Sequence, residues 1–293
     1  MRTPTFRTED FSLRSSDGES SLFVRHLSRG EPKVHFLIVH GALEHSGRHQ
    51  YLENFLMESM PTAAVTTYDH VGHGRSGGAR AYLTEFRTYV EDLRLVGEWA
   101  NERLPKGTKN FICAHSLGGL ITLTRFLDPS YGWPFPCDGL IFSSPCIKAK
   151  LLLGSSTEPL LDQLNKLSPR LQIPMIFKGA DLTRDLARGN DFDTDPLIPR
   201  FITIRMMKEI LDATHRIRGL SYYLRIPNLF LIAGNDALVD SESTKLFAHG
   251  IDKKLTTVVQ YPLHHHELWN EIDRQEIFKT MKLWVERQLK ENP

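Results

Sequence analysis

Phe111-Ile112-Cys113-Ala114-His115-Ser116-Leu117-Gly118-Gly119-Leu120 is the stretch of this chain that decides its fold. It reads as a buried strand that ends in a small-x-Ser-x-small turn, with a helix starting directly after the serine. Small residues on both sides let the turn be so tight that the Ser116 side chain stands exposed above the sheet. The next backbone N–H and the positive end of the helix then face whatever reacts there. The usual pattern has glycine two residues before the serine. Here Ala114 stands at that place, and a methyl is tolerated if its φ stays negative. A plain helix N-cap with glycines for close packing gives the same ten residues, so the flanking sequence has to choose.

On both sides of this turn, short runs rich in Val, Ile and Phe recur: Val34–Val39, Ala63–Tyr68, Asn110–Cys113, Gly139–Ser143, Asn228–Ala233 and Thr256–Tyr261. They show little alternation, as strands buried on both faces of a parallel sheet do. Phe6–Arg14 and Ser21–Leu27, separated by Ser15-Ser16-Asp17-Gly18, read instead as an antiparallel start. Helical spacing fills Thr84–Arg103, Ser241–His249 and Arg274–Leu289. This alternation predicts an α/β fold, a mostly parallel central sheet flanked by helices. The regularity fails over Ile147–Tyr222, which has no convincing strand, several prolines and helix-like apolar spacing. The expected organisation is a core over residues 1–146 and 223–293, with 147–222 inserted as a helical cap, or lid, over the sheet.

Length and charge set the outer bounds. At 293 residues, the chain has room for one large α/β unit with an insertion. Its 36 Lys+Arg against 35 Asp+Glu leave +1, which exerts no general pull on nucleic acid. The longest stretch without a formal charge, Asn110–Thr124, is 15 residues with Asn, His and Ser inside it, too short and polar to span a bilayer. The first residues, MRTPTFRTEDF, lack the apolar segment of a secretory signal. Cys113, Cys137 and Cys146 form no framework. A cytoplasmic protein, in contact with a membrane at most peripherally, is the expectation.

A serine hydroxyl needs a base, and the base needs an orienting acid. Both follow later strand ends. Asn228–Ala233 leads into Gly234-Asn235-Asp236, and Thr256–Tyr261 leads into Pro262-Leu263-His264-His265-His266. Asp236 lies 120 residues after Ser116 and 30 before His266, leaving room for the insertion. Asp240 competes as the acid, but it precedes Ser241 and Glu242 and reads as a helix N-cap. Any one of the three histidines can be the base. Their run also raises a metal site, yet no His-Glu-x-x-His spacing accompanies it. The loop Asp69–Gly78 is glycine-rich but fits neither the dinucleotide nor the P-loop pattern, so it reads as a structural turn. Glu44 and Arg48 either pair with each other or leave Arg48 facing a polar head group.

Taken in order, the segments His40-Gly41-Ala42-Leu43-Glu44-His45-Ser46-Gly47-Arg48, Tyr68–Gly78, the Ser116 turn, Ser143-Ser144-Pro145, Ala233–Val239 and His266–Glu271 resemble the α/β-hydrolases. The first of these is similar to the monoacylglycerol lipase and lysophospholipase branch in particular. The resemblance implies Ser116 as nucleophile, Asp236 as acid and His266 as base, with backbone N–H groups of Ala42 and Leu117 holding the oxyanion. It also implies hydrolysis of an ester carrying one acyl chain, without metal or organic cofactor. Leu151-Leu152-Leu153, with Leu160, Leu161, Leu164 and Leu167, forms an apolar face of the insertion. That face either packs on the core or lines an acyl tunnel and touches lipid weakly and reversibly.

Overall fold

The computed structural model describes residues 6–132, 135–150 and 158–291. β1 (Arg7–Arg14) and β2 (Ser21–Ser28) form the antiparallel hairpin read from the sequence, its turn closed by Gly18 at φ +75. β3 (Val34–Val39) and β4 (Ala63–Tyr68) follow, with helix α1 (Gln50–Ser59) between them. Next come α2 (Phe86–Asn101), β5 (Lys109–His115), α3 (Leu117–Leu127) and β6 (Gly139–Ser143).

Beyond β6 lie α4 (Glu158–Leu167), β7 (Gln172–Pro174), α5 (Gly179–Leu182), α6 (Leu186–Thr194), β8 (Phe201–Thr203) and α7 (Ile204–Ile217). The chain then returns to the sheet with β9 (Asn228–Ala233), α8 (Ser241–His249), β10 (Thr256–Tyr261) and α9 (Arg274–Glu291). The main sheet has the order β1-β2-β4-β3-β5-β6-β9-β10. β2 pairs antiparallel with β4, and every pair from β4 to β10 is parallel.

Period-two alternation along the central strands feeds two separate cores. In β3, Val34, Phe36 and Ile38 face α1 and α9, where Leu52, Leu56, Phe278 and Met281 cover them. Leu37 and Val39 face the opposite side, against Leu93 and Val96 of α2 and Leu120 and Ile121 of α3. The central strands β3, β4, β5, β6 and β9 are buried almost throughout, whereas the edge strands β1 and β10 are half exposed. This is the doubly covered sheet expected from runs without alternation.

The segment after β6 departs from the sequence reading in two ways. It contains a strand pair, β7 with β8, antiparallel and three residues long on each side. Such short strands, one ending in Pro174, leave no periodic signal. The second departure is at its far end. Met206, Ile210, Ala213 and Ile217 of α7 belong to the main core on the α2–α3 side, so the end of this stretch is part of the core packing.

The Ser116 turn depends on missing side chains. A Cβ on Gly118 would sit 2.3 Å from the Val39 carbonyl oxygen and 2.7 Å from that of His40. On Gly119 it would meet Pro145 at 2.6 Å. Helix α3 therefore starts against the ends of β3 and β6 at a distance only glycine permits. Gly118→Ala should cost about 2–3 kcal/mol in urea unfolding, because the obstacle is backbone and cannot turn aside. A variant within about 0.5 kcal/mol of the parent chain would show that the helix start has room to shift.

Candidate active site

Ser116 ends β5 and begins α3 with φ +48 and ψ −113, a conformation that L-residues avoid. Two backbone bonds hold it. Its N–H donates to Ser143 O at 3.0 Å, and its carbonyl accepts from Cys146 N at 2.9 Å. Ala114 stays inside β5 and outside the left-handed region, so its methyl is accommodated.

Asp236 and His266 meet after β9 and β10, where the spacing placed them. His266 Nδ1 lies 2.7 Å from Asp236 Oδ2. A carboxylate only accepts, so Nδ1 carries a proton, and in the neutral ring the lone pair is left on Nε2. The other oxygen, Oδ1, accepts from the backbone N–H groups of Leu238 and Val239 at 2.8 and 2.9 Å. Burial opposes the charge on Asp236, but His266 and these two N–H groups outweigh it and hold the carboxyl below its usual range. Burial likewise disfavours a charged His266, yet Asp236, with Glu267 and Glu44 nearby, raises its pKa. Asp240 is elsewhere: it caps α8 by accepting from Ser243 N at 2.8 Å and lies 3.6 Å from Lys148.

The histidine run separates. His264 Nε2 is 2.9 Å from Asp273, and His265 reaches Ala180 O and Asn235. Only His266 reaches Asp236.

One cavity of about 370 Å³ gathers the rest. Its wall includes Ser116, Leu117, Gly41, Ala42 and His266, so four of the five residues singled out from the sequence share one space, with Asp236 behind the fifth contact. The remaining wall is mostly apolar and comes largely from beyond β6: Leu164, Ile173, Met175, Phe177, Phe192 and Met207. Of these, Leu164 belongs to the apolar face read from the sequence as packing on the core or lining a tunnel; the other five were not identifiable in advance, because an apolar side chain reads the same facing a cavity or a core.

Polar groups below the cavity are tightly paired. Arg48, almost fully buried, donates to Glu267 Oε2 at 2.5 Å, with Glu44 Oε2 at 3.9 Å from its Nε. Of the two readings left open for Arg48, pairing holds, but chiefly with Glu267, a partner 219 residues away. Asp69 accepts from Ser46 N and Arg75 N, so the glycine-rich loop is a brace for the segment that follows β3. His115 donates from Nδ1 to Ser143 O, and burial pushes its pKa down to about 4, so it is neutral.

Residues 30–273 match the family described as serine aminopeptidase, S33. The chain belongs to that family. Its fold is that of the α/β-hydrolases, and the crystal structure of Paleococcus ferrophilus monoacylglycerol lipase shares it with a TM-score of 0.76. That likeness covers 90% of this chain and 99% of the other at 22% identity. Human monoglyceride lipase is 28% identical to this S33 family member over 93% of the chain and 89% of its own length. The Escherichia coli K12 protein YnbC is also 28% identical over 93% of the chain, which spans 46% of that relative's length.

The site geometry fixes the sign of one titration. Replacing Asp236 by Asn removes the strongest influence raising His266 and leaves Glu267 and Glu44 against burial, the largest influence of all, which lowers it. In an NMR titration, His266 should protonate above pH 6.5 in the parent chain and below it in Asp236→Asn. An unchanged midpoint would separate the two side chains in solution.

Proposed function

We propose that this S33 family member is a serine ester hydrolase that removes a single acyl chain from a monoacylglycerol or lysophospholipid. The observation carrying the reading is the cavity of about 370 Å³, which joins a strained, buried serine and a carboxylate-held histidine to a largely apolar wall. The family description names a peptidase, but an aminopeptidase needs a carboxylate free to receive an ammonium group. The carboxylates in this wall are Glu44 and Glu267. Arg48 engages Glu267, and Gly41 N–H and His49 engage Glu44. Glu44 Oε2 has no hydrogen-bond partner among the described residues, so the preference for an ester rests on the apolar wall around Ser116.

The reaction then runs in two halves. His266 Nε2 takes the proton of Ser116 Oγ as that oxygen attacks the acyl carbon. Ala42 and Leu117 N–H groups stabilise the negative oxygen that forms, a contribution of about 10²–10³ in rate per donor. The imidazolium returns its proton to the departing alcohol, leaving the acyl chain on Ser116. Water, activated by the same Nε2, repeats the sequence and releases the acid. Each proton goes from oxygen to His266 and back to oxygen, so the chain's own groups suffice.

In this reading, residues 147–222 form the cap over a core of 1–146 and 223–293. Leu161 packs inward and Leu164 lines the cavity, while Leu167 and Ile176 are 81% and 77% exposed. Ile176 also borders the cavity. Exposed apolar side chains at the cavity mouth support weak, reversible contact with a lipid surface. Leu151, Leu152 and Leu153 lie outside the described residues. No helix among the described residues is long and apolar enough to cross a membrane.

Ser116→Ala should abolish turnover and fluorophosphonate labelling with its melting temperature retained. Asp236→Asn should lose about 10⁴ in kcat, whereas Asp240→Asn should lose at most about 1 kcal/mol of stability as a missing cap. The reverse ranking would exchange the two carboxylates. Along a series of p-nitrophenyl esters, KM should fall about fourfold per added CH₂, equivalent to about 0.8 kcal/mol, until the cavity is full. Preference for acetate, together with failure to pellet with vesicles, would leave a short-chain esterase in place of the lipid enzyme.

A further inference from the structure

We propose that Glu44 is the positioning residue of the oxyanion site: its carboxylate folds the Gly41–Glu44 turn back on itself and so presents the Ala42 N–H to the reacting oxygen. This rests on the reading of Ser116 as nucleophile.

The turn is held from one side. Gly41 N–H donates to Glu44 Oε1 at 2.5 Å. That donor is therefore already used, and Ala42 supplies the next N–H along the chain, in the cavity wall beside Ser116 and Leu117. Gly41 is pressed between the two groups that matter. A Cβ there would lie 2.7 Å from Glu44 Oε1 and 3.1 Å from Ser116 Cβ. The carboxylate and the nucleophile are thus in contact with the same backbone unit, and moving one moves the surface offered to the other.

The turn also needs holding. Leu43, between Ala42 and Glu44, has φ +54. A non-glycine residue in the left-handed region raises the energy of the turn and persists only where the surroundings impose it. The bond from Gly41 to the Glu44 carboxylate closes the turn around that residue.

Glu44 is itself fixed in charge and place. It is nearly fully buried. His49 Nε2 is 3.3 Å from Oε1, and His115 Nε2 is 4.0 Å from it. Burial works against ionisation, but His49 beside Oε1, the largest influence in the other direction, holds the carboxyl well below its usual range. Arg48 is a weaker neighbour, since its short contact goes to Glu267. A residue serving only the Arg48 ion pair would not need its nearer oxygen on Gly41.

The test compares Glu44→Ala with Glu44→Gln in the full chain, using p-nitrophenyl esters, a boronic acid as transition-state mimic, and urea unfolding. Glu44→Ala should lower kcat by about 10²–10³, as loss of an oxyanion donor does. KM should stay within about twofold, because the acyl wall is untouched, and boronic acid affinity should fall in parallel with kcat/KM. Glu44→Gln keeps an oxygen that accepts from Gly41 N–H, so it should restore most of kcat. A folded Glu44→Ala within about threefold of parent kcat, or a folded Glu44→Gln as slow as a removed donor, overturns the proposal. Should Glu44→Ala fail to fold, the Gln variant alone decides in the same way. A parent chain that neither turns over esters nor labels at Ser116 would overturn the ester reading and this proposal with it. Normal parent turnover with an unimpaired Glu44→Ala would overturn the Glu44 proposal alone.

Discussion

The left-handed backbone at Ser116 is the constraint on which the rest of the site depends. A non-glycine residue at φ +48 is disfavoured by about 1–3 kcal/mol unless its neighbours compel it. Here compulsion comes from three strand ends at once. Ser116 N–H is bonded to Ser143 O, Cys146 N–H to Ser116 O, and Ser144 N–H to Leu231 O. Ser144 is itself at φ +43. The ends of β5, β6 and β9 are thus stitched across one another where strands of a parallel sheet normally diverge into separate loops. Gly118 and Gly119 then let α3 begin against β3 and Pro145. The serine projects into the cavity because every neighbouring backbone path has been closed.

Below that turn, the protein keeps its polar groups buried by denying most of them a charge. His40 accepts His70 N–H through Nε2 and donates to Gly41 O through Nδ1. Only the neutral ring can do both. His70 donates to His40 O, and His73 to Val71 O. Burial pushes these two rings down to about 3 and about 4. Against this neutral background, Arg48 is opposed by Glu267 and Asp236 by the imidazole that it stabilises, while Glu44 is held by the Gly41 N–H and His49. His266 is the exception in sign: burial depresses the pKa of its histidine neighbours, while Asp236 raises that of His266. Two nearby imidazoles, His115 and His266, with ring centres 4.8 Å apart, are thereby pushed in opposite directions.

Most of the fold was legible because its strands are short, β-branched and buried on both faces, and because helices separate them. Val34–Val39, Ala63–Tyr68, Gly139–Ser143, Asn228–Ala233 and Thr256–Tyr261 form with the ends read from sequence. The strand leading to Ser116 runs longer than its apolar residues, to His115, because pairing with β6 continues past them. What stayed hidden is of another kind. β7 and β8 are stabilised by each other across 31 residues, from Gln172 to Thr203, and by no local pattern. Arg48 with Glu267 is likewise a long-range pair, so the sequence offered the nearer Glu44. Asp236 and His266 could be found because position after a strand end is itself a signal. Apart from Leu164, the apolar wall could not, since facing a cavity leaves no mark on an apolar residue.

The stretch beyond β6 is not one body with respect to the site. Its middle is bonded to the loop that carries His266. Glu267 N–H donates to Leu182 O, Thr183 Oγ1 to Asn270 O, and Arg184 pairs with Glu271 and Asp273. Arg274 pairs with Asp185, and His45 with Asp195. Displacing α5 or α6 would therefore strain the His266 loop and the loop after β3 together. Among the described residues, helix α4 has no such ties to the His266 loop: its buried contact is Leu161 against Ile204 and Met207. The apolar wall is divided accordingly. Leu182 and Phe192 sit on the half fixed to the His266 loop, and Leu164 on the half held to α7 by packing and by the Asp162–Lys208 and Glu158–His215 contacts. Dispersion contacts are soft and non-directional, whereas paired ions and backbone bonds are not. Variation in what the cavity admits is therefore least costly on the α4 side, where no polar contact links it to His266.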